Sequence, residues 1–134
     1  MKLQNYALGT WISGEGEGTA LFDAVSGEQI YSASSQGLDF GAMLQYARER
    51  GGPALRKMTF HERGRMLKAL ALYLTEIKAK YYPISYLTGA TKADSWIDID
   101  GGIGTLFAYA SLRKKFSNER YFVDGGRHGI CPNR

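Results

Sequence analysis

Apolar residues follow two different rhythms along this chain. Before residue 35 they come in short clusters set apart by glycine and polar positions, among them Tyr6, Leu8, Trp11 and Ile12, then Leu21, Phe22 and Val25. Short runs bounded by turn residues predict strands: one over 5–13, a second over 19–25 and a third from Gln29 to about Ser34. Gly14-Glu15-Gly16-Glu17-Gly18 reads as the hairpin loop between the first two, and Ser26-Gly27-Glu28 as a tight turn before the third. Three such strands form a β-meander, which buries little alone and needs something to pack against.

Beyond residue 38 the period becomes helical. Phe40, Met43, Leu44 and Ala47 share a face, Asp39 is placed to cap it, and Gly51-Gly52-Pro53 is expected to end this first helix. Thr59-Phe60-His61-Glu62 has capping-box spacing and opens a stripe of Leu67, Leu70, Leu74, Ile77 and Tyr81. Pro83 forces a break near 78–82, a short helical piece continues to Leu87, and Thr88-Gly89 stops it. The last long helix is expected over about 93–112, with Trp96, Ile99, Ile103, Leu106 and Ala110 on one face. Gly101, Gly102 and Gly104 sit inside it, each costing roughly 1 kcal/mol against alanine. The reading preferred over a kink is that a neighbouring backbone comes close there.

Composition changes this picture little. The 134 residues suffice for one domain, and no run of about 18 apolar residues predicts a membrane helix. A mean hydropathy of −0.29 fits a soluble chain. Met1-Lys2-Leu3-Gln4-Asn5-Tyr6 lacks the apolar stretch of a signal peptide, and the lone Cys131 has no internal disulfide partner, which together favour the cytoplasm. The net charge of +4 raises the question of nucleic acid, but the basic residues are dispersed among acids. The densest basic run, Arg113-Lys114-Lys115, falls where it complements a helix dipole, and no nucleic-acid or membrane partner is expected.

Candidate chemistry is sparse. Gly14-x-Gly16-x-Gly18 has the look of a phosphate loop, but such a loop needs a helix opening at its last glycine, and a strand-like segment follows. Cys131 lies three residues from the end beside Pro132, with His128 near in sequence but nothing to form a rigid pocket. His61 and His128 are far apart and match no metal spacing. Asp94, Asp98 and Asp100 read as dipole partners at a helix start. Accordingly no catalytic, cofactor-binding or metal residue is assigned.

The order of the landmarks carries a resemblance. Tyr6-Ala7-Leu8-Gly9-Thr10-Trp11, Asp23-Ala24-Val25-Ser26-Gly27-Glu28, Thr59-Phe60-His61-Glu62-Arg63 with its leucine stripe, and Thr88-Gly89 resemble, in order and spacing, the opening of aldehyde dehydrogenases. The stretches 53–60 and 88–107 are most similar to the bifunctional ring-opening subgroup of phenylacetate degradation, which joins such a dehydrogenase to a hydratase-like domain that opens an oxepin-CoA ring. Two departures from the general family pattern, Asp23-Ala24 for Asn-Pro and Gly89-Ala90 for Gly-Lys, fit that subgroup better. The likeness runs from residue 3 to about 124 and stops; Gly126-Arg127-His128-Gly129-Ile130-Cys131-Pro132-Asn133-Arg134 resembles nothing in the family. A frameshift, a cloning remnant or an early stop each produces such an end.

The resemblance implies an α/β parent fold, of which residues 1–124 would be the first part of the NAD(P)-binding domain and 125–134 an unrelated tail. It implies oxidation of a CoA-linked semialdehyde to the acid with NADP or NAD, in a parent that is a homo-oligomer. The family's nucleophilic cysteine, water-activating glutamate, oxyanion-holding asparagine and cofactor-binding lysine all fall later in its chain, so none is carried onto these residues. The chain alone is expected to be inactive and to bind no cofactor, its partner being the rest of the dehydrogenase. The alternative is a free-standing helical interaction module derived from such an enzyme.

Overall fold

Residues 1–122 are described by the computed structural model. Tyr6 and Trp11 face each other across a hairpin, not along one strand: β1 (Gln4–Ala7) pairs antiparallel with β2 (Thr10–Ser13), and their rings meet edge to face at 5.2 Å. This corrects the single strand expected over 5–13. The two turn residues, Leu8 and Gly9, both have positive φ, 53° and 84°. A two-residue turn of that hand suits strand twist but usually carries asparagine or aspartate in its first position. Leucine there hides the turn inside an apolar run.

A second hairpin follows, with β3 (Thr19–Phe22) antiparallel to β4 (Gln29–Ala33). The second strand therefore stops at Phe22, not 25, because Asp23 builds a turn. Its Oδ1 accepts from the N–H groups of Val25 at 2.7 Å and Ser26 at 2.9 Å, and Gly27 supplies the left-handed φ of 74°. The expected three-stranded meander is thus two separate two-stranded sheets. The glycine pentad does not close a hairpin; it links the two sheets, which also meet through a parallel bridge between Lys2 and Ser32.

Helices make up the rest. Asp39 caps α1 (Phe40–Tyr46) by accepting from the Ala42 N–H at 2.9 Å. The expected stop at Gly51-Gly52-Pro53 does not occur. The backbone widens into a π-helical turn over Ala47–Gly51 and continues as α2 (Gly52–Lys57). Gly51 and Gly52 keep right-handed φ of −66° and −57°, and Pro53 falls in the first turn of α2, where its missing N–H needs no partner. α3 (Phe60–Ile77) begins with the expected reciprocal capping of Thr59 and Glu62. A 3-10 turn over Lys78–Lys80 and the short α4 (Tyr82–Tyr86) follow, with Pro83 in its first turn. α5 (Lys92–Ser111) starts at a second capping box, Thr91 with Asp94, whose spacing is plain in the sequence. Short antiparallel strands followed by several helices therefore form the described chain.

The core lies where α3 and α5 cross antiparallel. Among the described residues the buried apolar side chains are Ala7, Ala71, Ile103 and Ala110. Small residues let the two helices approach, and they meet closely at Gly64: a Cβ there would stand 2.9 Å from the Arg113 Cβ and 3.1 Å from the Ala110 carbonyl oxygen. The expectation that Gly101, Gly102 and Gly104 meet a close neighbour is overturned within this chain, since nothing lies within 4 Å of a Cβ at any of them. They turn away from the face that carries Ile103 and Ala110. Trp96, expected on the packed face, is 60% exposed, and the fully buried Ser95 takes that place with its hydroxyl donating to Ser85 Oγ at 2.9 Å.

Gly64→Ala improves helix propensity yet forces the two helices apart. It is expected to lower stability by about 1–3 kcal/mol, the usual cost of overpacking a tight contact, measured by thermal or urea unfolding. Unchanged or raised stability would contradict the close crossing.

Candidate functional site

Two side-chain clusters lie at opposite ends of the α3–α5 pair. At the far end of α3, Asp100 of α5 is held by two donors: the Lys78 ammonium, which forms an ion pair with Oδ1, and the Tyr82 hydroxyl, which donates to Oδ2 at 2.5 Å. The Lys78 bond, then the Tyr82 bond, hold the Asp100 carboxyl below its ordinary range. The same contact pushes the Tyr82 hydroxyl up to about 12, since ionising it would remove the donor and set two anions together. Asp100 is therefore a bridge between α5 and the segment after α3, not the solvated dipole partner expected. Asp94 is such a partner, closing its own helix N-terminus, and its bonds to Thr91 lower its carboxyl. Asp98 is exposed.

The other cluster is a groove of about 280 Å³ between the start of α3 and the end of α5, lined by Phe60, Arg63, Gly64, Leu67, Tyr109, Leu112, Arg113 and Phe116. Phe116 stacks on Phe60 at 4.8 Å, and the Arg63 guanidinium lies 4.5 Å above the Phe60 ring. Both cations of the groove are occupied by carbonyls: Arg63 Nη2 donates to Arg120 at 2.8 Å, and Arg113 Nη1 to Ala110 at 2.7 Å. Arg113 thus complements the end of α5, as the charge pattern suggested. His61 is beside this groove with Nε2 3.0 Å from the Phe116 carbonyl oxygen, a contact that ties the chain's return to α3. The groove carries no nucleophile with a base beside it.

The glycine loop has the wrong polarity for phosphate. The Gly14 and Gly16 carbonyls accept from the Lys2 ammonium, the Glu15 N–H donates to the Gln36 carbonyl at 2.8 Å, and the Glu15 carbonyl accepts from the Ser34 hydroxyl at 2.7 Å. A phosphate cradle needs free N–H groups turned inward. The N-termini of α3 and α5 are closed by Glu62 and Asp94, which repel an anion. Among the described residues no group of three or more His, Cys, Asp or Glu is placed to hold a metal ion, and no helix is long and apolar enough to cross a membrane. Cys131, His128 and the tail over 125–134 lie outside the described residues.

No protein-family model matches the sequence. The chain is similar to 3,4-dehydroadipyl-CoA semialdehyde dehydrogenase of Aromatoleum evansii, 44% identical over 132 residues. The match takes in 98% of this chain but 26% of that relative's length.

Tyr82 gives the first cluster a signature. A hydroxyl whose folded pKa lies above its unfolded value stabilises the fold fully below about pH 10, and that contribution fades as pH rises from 10.0 towards 12. The depressed Asp100 carboxyl acts oppositely, stabilising above its ordinary 3.8 and losing this as pH falls below it. Tyr82→Phe is expected to flatten the loss of thermal stability on the alkaline side and to leave the acid side governed by Lys78–Asp100. An unchanged alkaline profile would show that the Tyr82–Asp100 bond contributes nothing.

Proposed function

We propose that this chain is the first part of an NAD(P)-dependent aldehyde dehydrogenase that oxidises a CoA-linked semialdehyde to the acid in phenylacetate degradation, within the ring-opening subgroup. The observation that carries this reading is the 44% identity sustained across 98% of the chain with a relative whose name gives that substrate class. The landmarks acquire physical meaning beside it. Asp23–Glu28 is a side-chain-stabilised turn, Thr59–Glu62 a capping box, and Thr88-Gly89 the stop after α4, with Gly89 at a φ of 82°. Each shapes the backbone.

In this reading residues 1–124 belong to the parent's cofactor-binding domain of α/β class and contribute packing and position. The nucleophile, the water-activating base and the groups holding NADP or NAD come from the rest of the parent chain, which is this segment's partner in a homo-oligomer. Hydride transfer to the nicotinamide is the chemistry the cofactor supplies there.

The test joins this chain to the part of the Aromatoleum evansii relative that lies outside the match. The chain alone is expected to reduce no NADP or NAD with a CoA-linked semialdehyde, and the joined protein to do so. Turnover by the chain alone that Cys131→Ala abolishes would overturn the reading, as would a folded but inactive joined protein.

A further inference from the structure

α5 is apolar on two opposite sides. One side, with Ile99, Ile103 and Ala110, faces the rest of the described chain. At about 100° per residue, Ile97, Gly101, Gly104 and Ala108 fall within an arc of about 60° on the reverse side. All four are exposed, and a Cβ at either glycine would meet nothing within 4 Å. Their i, i+4, i+7, i+11 spacing is that of a packing seam about 16 Å long. No charged residue occurs from Gly101 to Leu112. A helix apolar on both sides is the signature of one buried on both sides.

The total surface says how much is uncovered. The chain exposes 10542 Å², whereas a folded monomer of its 14.8 kDa exposes about 7,000 Å². Setting aside about 1,900 Å², the extended-chain area of twelve residues, still leaves an excess of about 1,600 Å². A standard interface covers about 800 Å² on each partner, so the excess matches a large permanent one. It is also spread over different elements, with Phe40 on α1 62% exposed, Tyr73 on α3 58% and Ile97 on α5 61%.

We propose that the Ile97–Gly101–Gly104–Ala108 face of α5 seats an apolar segment of the remaining dehydrogenase chain, its side chains entering the space the glycines leave open. This rests on the functional reading above, and the length outside this chain supports the occupant, since about three-quarters of the matched relative lies beyond the match. The glycines then serve approach by the rest of the protein, which offsets their poor helix propensity.

The test introduces Gly101→Leu and Gly104→Leu together, in this chain alone and in this chain joined to the remainder of the relative. Alone, the double variant is expected to melt at the same or a higher temperature, since leucine favours helix and meets open space. In the joined protein it is expected to melt several degrees lower and to speed hydrogen exchange across 97–108. Dehydrogenase activity of the unsubstituted joined protein tests the functional reading separately from the face. An active joined protein whose stability and exchange ignore the substitutions would overturn the proposal. So would a dimer of the chain alone that the two leucines dissociate, because the occupant would then be a second copy. A joined protein that fails to fold counts against the match between this face and that remainder.

Discussion

The close crossing of α3 and α5 at Gly64 is the contact on which the rest of the helical part depends. With no Cβ on α3 there, the Ala110 carbonyl of α5 and the stem of Arg113, in the turn just after α5, come into contact with the α3 backbone. That approach brings Phe116 onto Phe60 and its carbonyl to His61, and sends the chain back across the start of α3, where the Phe60 N–H meets the Glu119 carbonyl at 2.9 Å. At the other end the same crossing sets Asp100 between Lys78 and Tyr82. The small side chains of the core, Ala71 and Ala110, are what such an approach requires. They also explain why so little apolar area is buried.

The helices were legible in the sequence because their ends are written in local chemistry. Asp39, Thr59-x-x-Glu62 and Pro83 act through bonds or exclusions within a few residues, and each does what its spacing predicts. The structure departs from the sequence pattern where local signals are ambiguous. Leu8 occupies a left-handed turn position that sequence rules reserve for other residues, so a hairpin looked like a strand. Gly51-Gly52-Pro53 reads as a stop, but a π-helical turn absorbs the proline. Tertiary features were the least legible. Nothing local distinguishes Gly64, which meets a neighbour, from Gly101, which does not. Nothing local says that Asp100 would face Lys78 and Tyr82 rather than water.

The functional reading follows from what the polar groups are occupied with. Lys2 binds the carbonyls of the glycine loop, the acids at the helix starts bind their own backbones, and the two guanidiniums of the groove bind carbonyls. These groups fix the path of the backbone. A chain whose polar chemistry is structural and whose apolar faces are half uncovered is suited to be a supporting part of a larger enzyme, and the likeness to a semialdehyde dehydrogenase names the kind of enzyme proposed.

The most direct measurement is urea unfolding of the 134-residue chain alone, because the slope with denaturant reports how much surface folding buries. A chain whose burial is concentrated in the α3–α5 pair should unfold gradually, with a slope at or below about 1 kcal/mol/M. A single steep transition of about 2 kcal/mol/M or more would show a complete, self-sufficient core and contradict the account.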